Sequence, residues 1–256
     1  MSEDLKGQCS AAGVKRVVFV RHANAAPAGA AKGTYTGGIH DWQRDDQMRS
    51  LTDKGKKQAL AAREAWFAKD VVRTSNKCLV TSGARRAAET LQVFGEQVTA
   101  KKGFFANLGL GCGGGESVAF AVSSELCGGL HPAGLAPKCE ALFDKHGYAP
   151  LAKFYAMEGG KEAYAEYGEL VCKELAQVVE RAKHNQGNTI TVFGHAVFLN
   201  AIAMQLMLAC GADAAQIAAM TDVDLGEAEG IAIDIGAGST SATVKHFSLR
   251  PHALWA

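Results

Sequence analysis

The sequence predicts an α/β protein, a three-layer α/β/α sandwich around a mostly parallel central sheet. Three observations carry that expectation. Short, nearly continuous apolar runs occur at 15–20 (KRVVFV), 76–82 (NKCLVTS) and 188–194 (NTITVFG), the pattern of strands covered on both faces. Stretches of helical periodicity follow each run, and strand alternating with helix is the signature of a sheet with helices on both sides. The chain has 256 residues, 48% hydrophobic and 21% charged, enough apolar material for one large core and too much for wholesale disorder.

In chain order, the first strand ends at Val20 and leads into 24–45, which is rich in Ala, Gly and polar residues and reads as a long loop. A helix opens after Thr52, its N-cap, with Leu60, Ala61, Ala65 and Phe67 as its apolar stripe. The second strand at 76–82 runs at once into a second helix, GARRAAETLQVFGEQV. Residues 103–150 break the rhythm, being dense in glycine and holding Pro132, Pro137 and Pro150. We read an insertion at about 103–160 in one single domain, built of loops and at most short helices. A clear amphipathic helix resumes at 167–184, with Leu170, Val171, Leu175, Val178 and Val179 on one side. The third strand then leads into an apolar helix ending at Gly211, and GIAIDI (230–235) and TSATVKHFSL (240–249) close the chain as two further strands.

Composition excludes several classes. A formal net charge of +1 gives no electrostatic footprint for a nucleic acid. The polar N-terminus MSEDLKGQCSAAG lacks a signal peptide's apolar centre, and no apolar run is long enough to span a bilayer. The seven cysteines are odd in number, scattered and without a C-x-x-C pair, which argues against a disulfide framework and against zinc. The expectation is a cytoplasmic protein of a reducing compartment that binds neither nucleic acid nor membrane and needs no cofactor.

In sheets of this kind ligands bind beyond the carboxyl ends of the strands. Here the first strand ends on Arg21 and His22, the second on Ser82 followed by Arg85 and Arg86, and the third on His195. Parallel strands would bring two histidines and at least two arginines to one edge. A planar guanidinium fork suits phosphate oxygens, and a histidine pair can divide the roles of nucleophile and charge stabiliser. No carboxylate sits at a strand end and no metal-ligand spacing occurs, so the edge reads as a phosphate site without metal.

These residues also carry a family resemblance. RHAN (21–24), LTDKGKKQA (51–59), TSGARRAAET (81–90) and VFGHA (192–196) resemble, in order, the R-H-G start, the L-T-x-x-G-x-x-Q-A helix opening, the S-x-x-x-R-A-x-x-T block and the late G-H of the histidine phosphatase superfamily, with its phosphoglycerate-mutase-like fold. The run from Asp46 to Thr52 resembles the D-x-x-R-x-L-T of the phosphohistidine phosphatase group. The resemblance implies that His22 is the nucleophile, that Arg21, Asn24, Arg86 and His195 bind the phosphate, and that His195 also serves catalysis. Arg86 rather than Arg85 fits the R-A-x-x-T spacing. Ala23 stands in place of the family's glycine, a conservative change if its backbone keeps a negative φ, and Gly83 stands where many members have proline.

A leaving alkoxide also needs a proton donor. The insertion offers Glu125 in SSELCGG, which resembles the family's acid-bearing segment, and Glu116 in GGGES; some phosphohistidine phosphatases have neither. The expected activity is metal-independent hydrolysis of a phosphorylated small molecule or phosphoprotein through phosphohistidine. A mutase-type phosphotransferase and a phosphate-binding regulatory module are the alternatives. GLGCGG (109–114) matches G-x-G-x-x-G, but no strand precedes it and a poor helix follows, so it reads as a loop.

Overall fold

The structure is a computed structural model that describes residues 2–29, 46–68, 76–99, 119–123, 126, 137–235 and 243–247. Its elements in chain order are α1 (Ser2–Ala11), β1 (Arg16–Arg21), α2 (Asp53–Ala68), β2 (Asn76–Ser82), α3 (Arg85–Thr99), β3 (Ala119–Ser123), α4 (Pro137–His146), α5 (Leu151–Tyr155), α6 (Gly160–Arg181), β4 (Thr189–Gly194), α7 (Ala196–Ala209), α8 (Ala214–Thr221), β5 (Gly230–Asp234) and β6 (Thr243–Phe247).

One six-stranded sheet runs in the order β3-β2-β4-β1-β5-β6. The first four strands are mutually parallel, while β5 is antiparallel to β1, and β6 to β5. The side chains of β1 divide between two cores, as alternating strand residues must. Val17 and Phe19 join the larger core, with Leu5 of α1, Tyr164, Tyr167 and Leu175 of α6, and Leu199 and Ile202 of α7. Val18 and Val20 join the smaller one, with Ala59 and Ala62 of α2 and Leu91 and Phe94 of α3. The layers are thus helix, sheet, helix, as the three apolar runs imply.

Local signals explain several element ends. The Thr52 hydroxyl accepts a hydrogen bond from Gly55 N at 3.0 Å and so caps α2. α7 ends at Gly211, whose φ of +77° lies in the left-handed region that glycine enters freely. Other expectations need correction. The 103–150 stretch holds more than loops and short helices: β3 adds an edge strand to the sheet and α4 is ten residues long. Its glycines and prolines masked both periods. Downstream of α4, Leu151 and Phe154 of α5 lie in the larger core. α6 begins at 160 rather than 167, since Ala163, Tyr164 and Tyr167 continue its buried face. On α2 the buried face is Ala59 and Ala62, and Leu60 is 40% exposed. Alanines make up that face, and the larger leucine drew the stripe off by one position. α1 had no apolar stripe to announce it; among its described side chains only Leu5 and Cys9 are buried.

One close approach ties α2 to the end of β1. A Cβ placed on Gly55 would lie 2.0 Å from the carbonyl oxygen of Asn24. Alanine is favoured over glycine inside a helix by about 1 kcal/mol. Overlap with backbone, which cannot rotate aside, costs about 1–3 kcal/mol. We therefore expect Gly55→Ala to lower the urea midpoint and, by pushing Asn24, to lower turnover as well. A variant with wild-type stability and activity would show that the 22–27 segment yields freely.

Candidate active site

The sheet register assembles the site. Arg21 pairs with Gly194 across β1–β4, and Thr81 with Phe193 across β2–β4, so the three strands end level. His22, Ser82 and His195, the residues at or just past those ends, therefore meet at one edge. The imidazole rings of His22 and His195 stand 5.2 Å apart, edge to face at 62°. Arg86, in the first turn of α3, reaches between them.

Hydrogen-bond partners fix both tautomers. His22 Nδ1 lies 2.8 Å from the carbonyl oxygen of Ala23, which can only accept, so Nδ1 carries the proton. Nε2 is left with its lone pair and accepts from Arg86 Nε at 3.2 Å. In His195 the arrangement is reversed: Arg86 Nη2 donates to Nδ1 at 3.3 Å, so Nε2–H faces Ser82 Oγ at 3.0 Å. A serine–histidine pair invites the reading of a serine nucleophile with its base. Here the facing nitrogen holds a proton, and His195 is a donor to Ser82 rather than a base for it. The two ring nitrogens without a proton are His22 Nε2 and His195 Nδ1, and both accept from Arg86.

Electrostatics keep it so. Burial pushes the His22 pKa well below its ordinary value of 6.5, and His195 and Arg86 push it the same way. Burial likewise lowers His195, with Arg86, Arg21 and Arg49 adding to the effect. Both rings are neutral at neutral pH, as a nitrogen nucleophile requires. Between the depressed folded value and 6.5 the unfolded chain binds more protons, so stability rises with pH in that window. It is complete above about 6.5 and falls as pH drops below. We expect imidazole-nitrogen NMR to find both rings still neutral at about pH 6. An imidazolium signal from either ring there would contradict the assignment.

The predicted residues are placed as follows. Arg86 is 6% exposed and engaged on every side: besides the two histidines, Nη2 donates to Asp46 Oδ2 at 2.8 Å and Nη1 to the Asp46 backbone oxygen. Arg21 Nη1 donates to the Leu225 carbonyl at 2.6 Å, and its guanidinium lies 4.7 Å from the centre of the Tyr148 ring. The buried Nε of Arg21 meets no acceptor among the described residues. Asn24 lies beside His22 with its amide engaged by protein: Nδ2 donates to Glu227 Oε1 at 2.9 Å, and Oδ1 accepts from the Thr52 hydroxyl at 2.6 Å. Ala23 is fully buried without a positive φ, its N–H bonded to the Thr90 hydroxyl at 3.1 Å. Thr90 in turn donates to Arg86 O at 2.8 Å, so the R-A-x-x-T spacing joins one turn of α3 to the end of β1. Glu116 and Glu125 lie outside the described residues.

Two groups of site residues escaped sequence reasoning. Asp46 lies half-buried against Arg86, its carboxylate also accepting from Arg49 Nη1 at 2.7 Å. Burial pushes this carboxyl up, but Arg86 and Arg49 outweigh burial and hold it below its usual range. The second group is the 222–229 loop before β5. Leu225 O receives Arg21, Ala228 N–H donates to His22 O at 3.2 Å, and Glu227 accepts from both Asn24 and Gln58. Tyr148 steadies this loop through its hydroxyl, bonded to Asp224 Oδ1 at 2.5 Å and Leu225 O at 2.9 Å. Asp46 was legible as part of D-x-x-R; nothing in the sequence marked Glu227. Among the described residues no cluster of three or more His, Cys, Asp or Glu side chains is arranged to hold a metal ion. Nor is any described helix long and apolar enough to cross a membrane.

No family model and no curated protein matches the sequence. Solved structures do resemble the fold. Mycobacterial glucosyl-3-phosphoglycerate phosphatase aligns over 91% of this chain and 97% of its own, at 15% identity and a TM-score of 0.49. Alpha-ribazole phosphatase from Shigella flexneri aligns over 91% and 95%, at 17% and 0.48. Phosphoserine phosphatase from Entamoeba histolytica, complexed with 3-phosphoglyceric acid, aligns over 92% and 98%, at 10% and 0.49. The likeness to these three structures is one of fold.

Proposed function

We propose that the protein is a metal-independent phosphatase that moves a phosphoryl group from a phosphomonoester or a phosphorylated side chain to water, through a phosphohistidine on His22. The observation that carries this reading is the His22 ring itself. Its Nδ1–H is anchored on Ala23 O, its Nε2 lone pair faces Arg86, and its environment keeps it neutral. In the first step Nε2 attacks phosphorus, the bond from phosphorus to the leaving oxygen breaks, and its electron pair departs with that oxygen, which takes up a proton. In the second step water attacks phosphorus, the P–N bond breaks, its pair returns to Nε2, and the water gives up a proton. Arg86 and Arg21 hold the phosphoryl oxygens, and His195 Nε2–H is a further donor. Glu125 is the proton donor that the family resemblance implies. Asp46, held ionised by two arginines, is a poor donor to an alkoxide.

Hydrolysis of p-nitrophenyl phosphate in the presence of a chelator tests the reading. Turnover by the wild type is expected. No turnover of this substrate, or of any phosphomonoester or phosphoramidate in a panel, sinks it.

A further inference from the structure

Arg86 presents its fork to an anion that is already there. Both terminal nitrogens donate to Asp46, one to the carboxylate at 2.8 Å and one to the backbone oxygen, while Nε and Nη2 meet the two histidines. A phosphoryl group set between His22 Nε2 and this guanidinium must claim donors that Asp46 now holds. The exposures of the two partners differ. The Arg86 side chain is 7% exposed and that of Asp46 28%, so the carboxylate is the more solvent-facing member of the pair. A second cation, Arg49, contacts the other carboxylate oxygen at 2.7 Å and also donates to Ala26 O at 2.5 Å. If the carboxylate swings away, Arg49 offers it a partner outside the fork.

We propose that Asp46 is an intramolecular stand-in for the substrate phosphate: its carboxylate fills the Arg86 fork in the free protein, is displaced by an incoming phosphoryl group, and thereby sets the affinity of the site. The inference rests on Arg86 as a holder of phosphate and adds what that reading lacks, a competitor built into the chain. A monoanionic carboxylate gives way to a phosphate dianion with more oxygens to offer. A weaker or bulkier anion, such as a substrate carboxylate, competes poorly. Asp46 thus weakens binding in general and screens what binds.

The sign of one substitution separates this from a purely structural role. If Asp46 competes, Asp46→Asn removes the competing charge and the competent fraction of the site rises. Inorganic phosphate, measured by calorimetry, then binds about tenfold more tightly, and the product inhibits turnover correspondingly more. If Asp46 merely props Arg86 in place, the same change leaves binding equal or weaker, and the inference is overturned while phosphate binding and turnover by the wild type stand. If neither protein binds phosphate or turns over p-nitrophenyl phosphate, the phosphate-site reading falls and takes the inference with it. A crystal structure of the wild type with orthovanadate gives a second readout that needs no variant. Displacement requires the Asp46 carboxylate to have left Arg86 Nη2; an Asp46 still bonded there beside the bound anion overturns the proposal.

Discussion

In the proposed mechanism His22→Ala is expected to abolish turnover of any phosphomonoester that the wild type hydrolyses, by at least about 10⁴-fold, the scale at which removal of a nucleophile leaves only binding and charge stabilisation. The loss falls on kcat rather than on phosphate binding, because Arg86, Arg21 and His195 remain. The ring is held on both sides, through Nδ1 to Ala23 O and Nε2 to Arg86, so the variant also loses a buried contact of α3 with the end of β1. Stability must therefore be measured in parallel; a folded, phosphate-binding and inactive variant is the expected result. His22→Gln, which keeps a polar side chain without an imidazole, is expected to be equally inactive. A folded His22→Ala retaining even a hundredth of wild-type kcat would move the nucleophile elsewhere, with Ser82 the first place to look.

Arg86→Ala is the second large effect. This one side chain touches His22, His195 and Asp46, and in the proposed reaction it stands where charge gathers on the transferring phosphoryl group. Removal of a transition-state donor of this kind costs about 10²–10⁵ in kcat. Lysine does not restore it, since a point charge cannot reproduce the fork that reaches both rings and the anion. A second consequence has a definite sign. Arg86 is one of the cations depressing both histidines, so its loss raises the His22 and His195 pKa values toward the ordinary range. The acid limb of kcat/KM in Arg86→Ala is expected at higher pH than in the wild type. A rate loss without that shift would mean that the arginine acts on substrate alone.

The parallel half of the sheet was legible because buried parallel strands leave continuous apolar runs, and such strands must end at the same edge. That is why Arg21, His22, Ser82, Arg86 and His195 could be gathered from sequence, and the register sets the ends of β1, β2 and β4 level. β5 was seen as a strand, but its direction was not read. Being antiparallel to β1, it brings its amino end to the site edge, and with it the 222–229 loop. Searching only the carboxyl ends of strands therefore missed Glu227 and Leu225. β3 escaped for a different reason: an edge strand of five residues inside a glycine-rich stretch gives little periodicity to find. Asp46 stood in plain view within D-x-x-R, but a sequence pattern cannot say that a carboxylate faces an arginine forty residues away.

The most direct test of the central claim is to trap the intermediate. Wild-type protein mixed with a radiolabelled phosphomonoester and quenched within the first turnover should retain label on the chain. The bond should be labile to acid and stable to alkali, as a phosphoramidate is, and should map to the peptide bearing His22. Turnover with no label ever retained, or an acid-stable label on Ser82, would contradict the account.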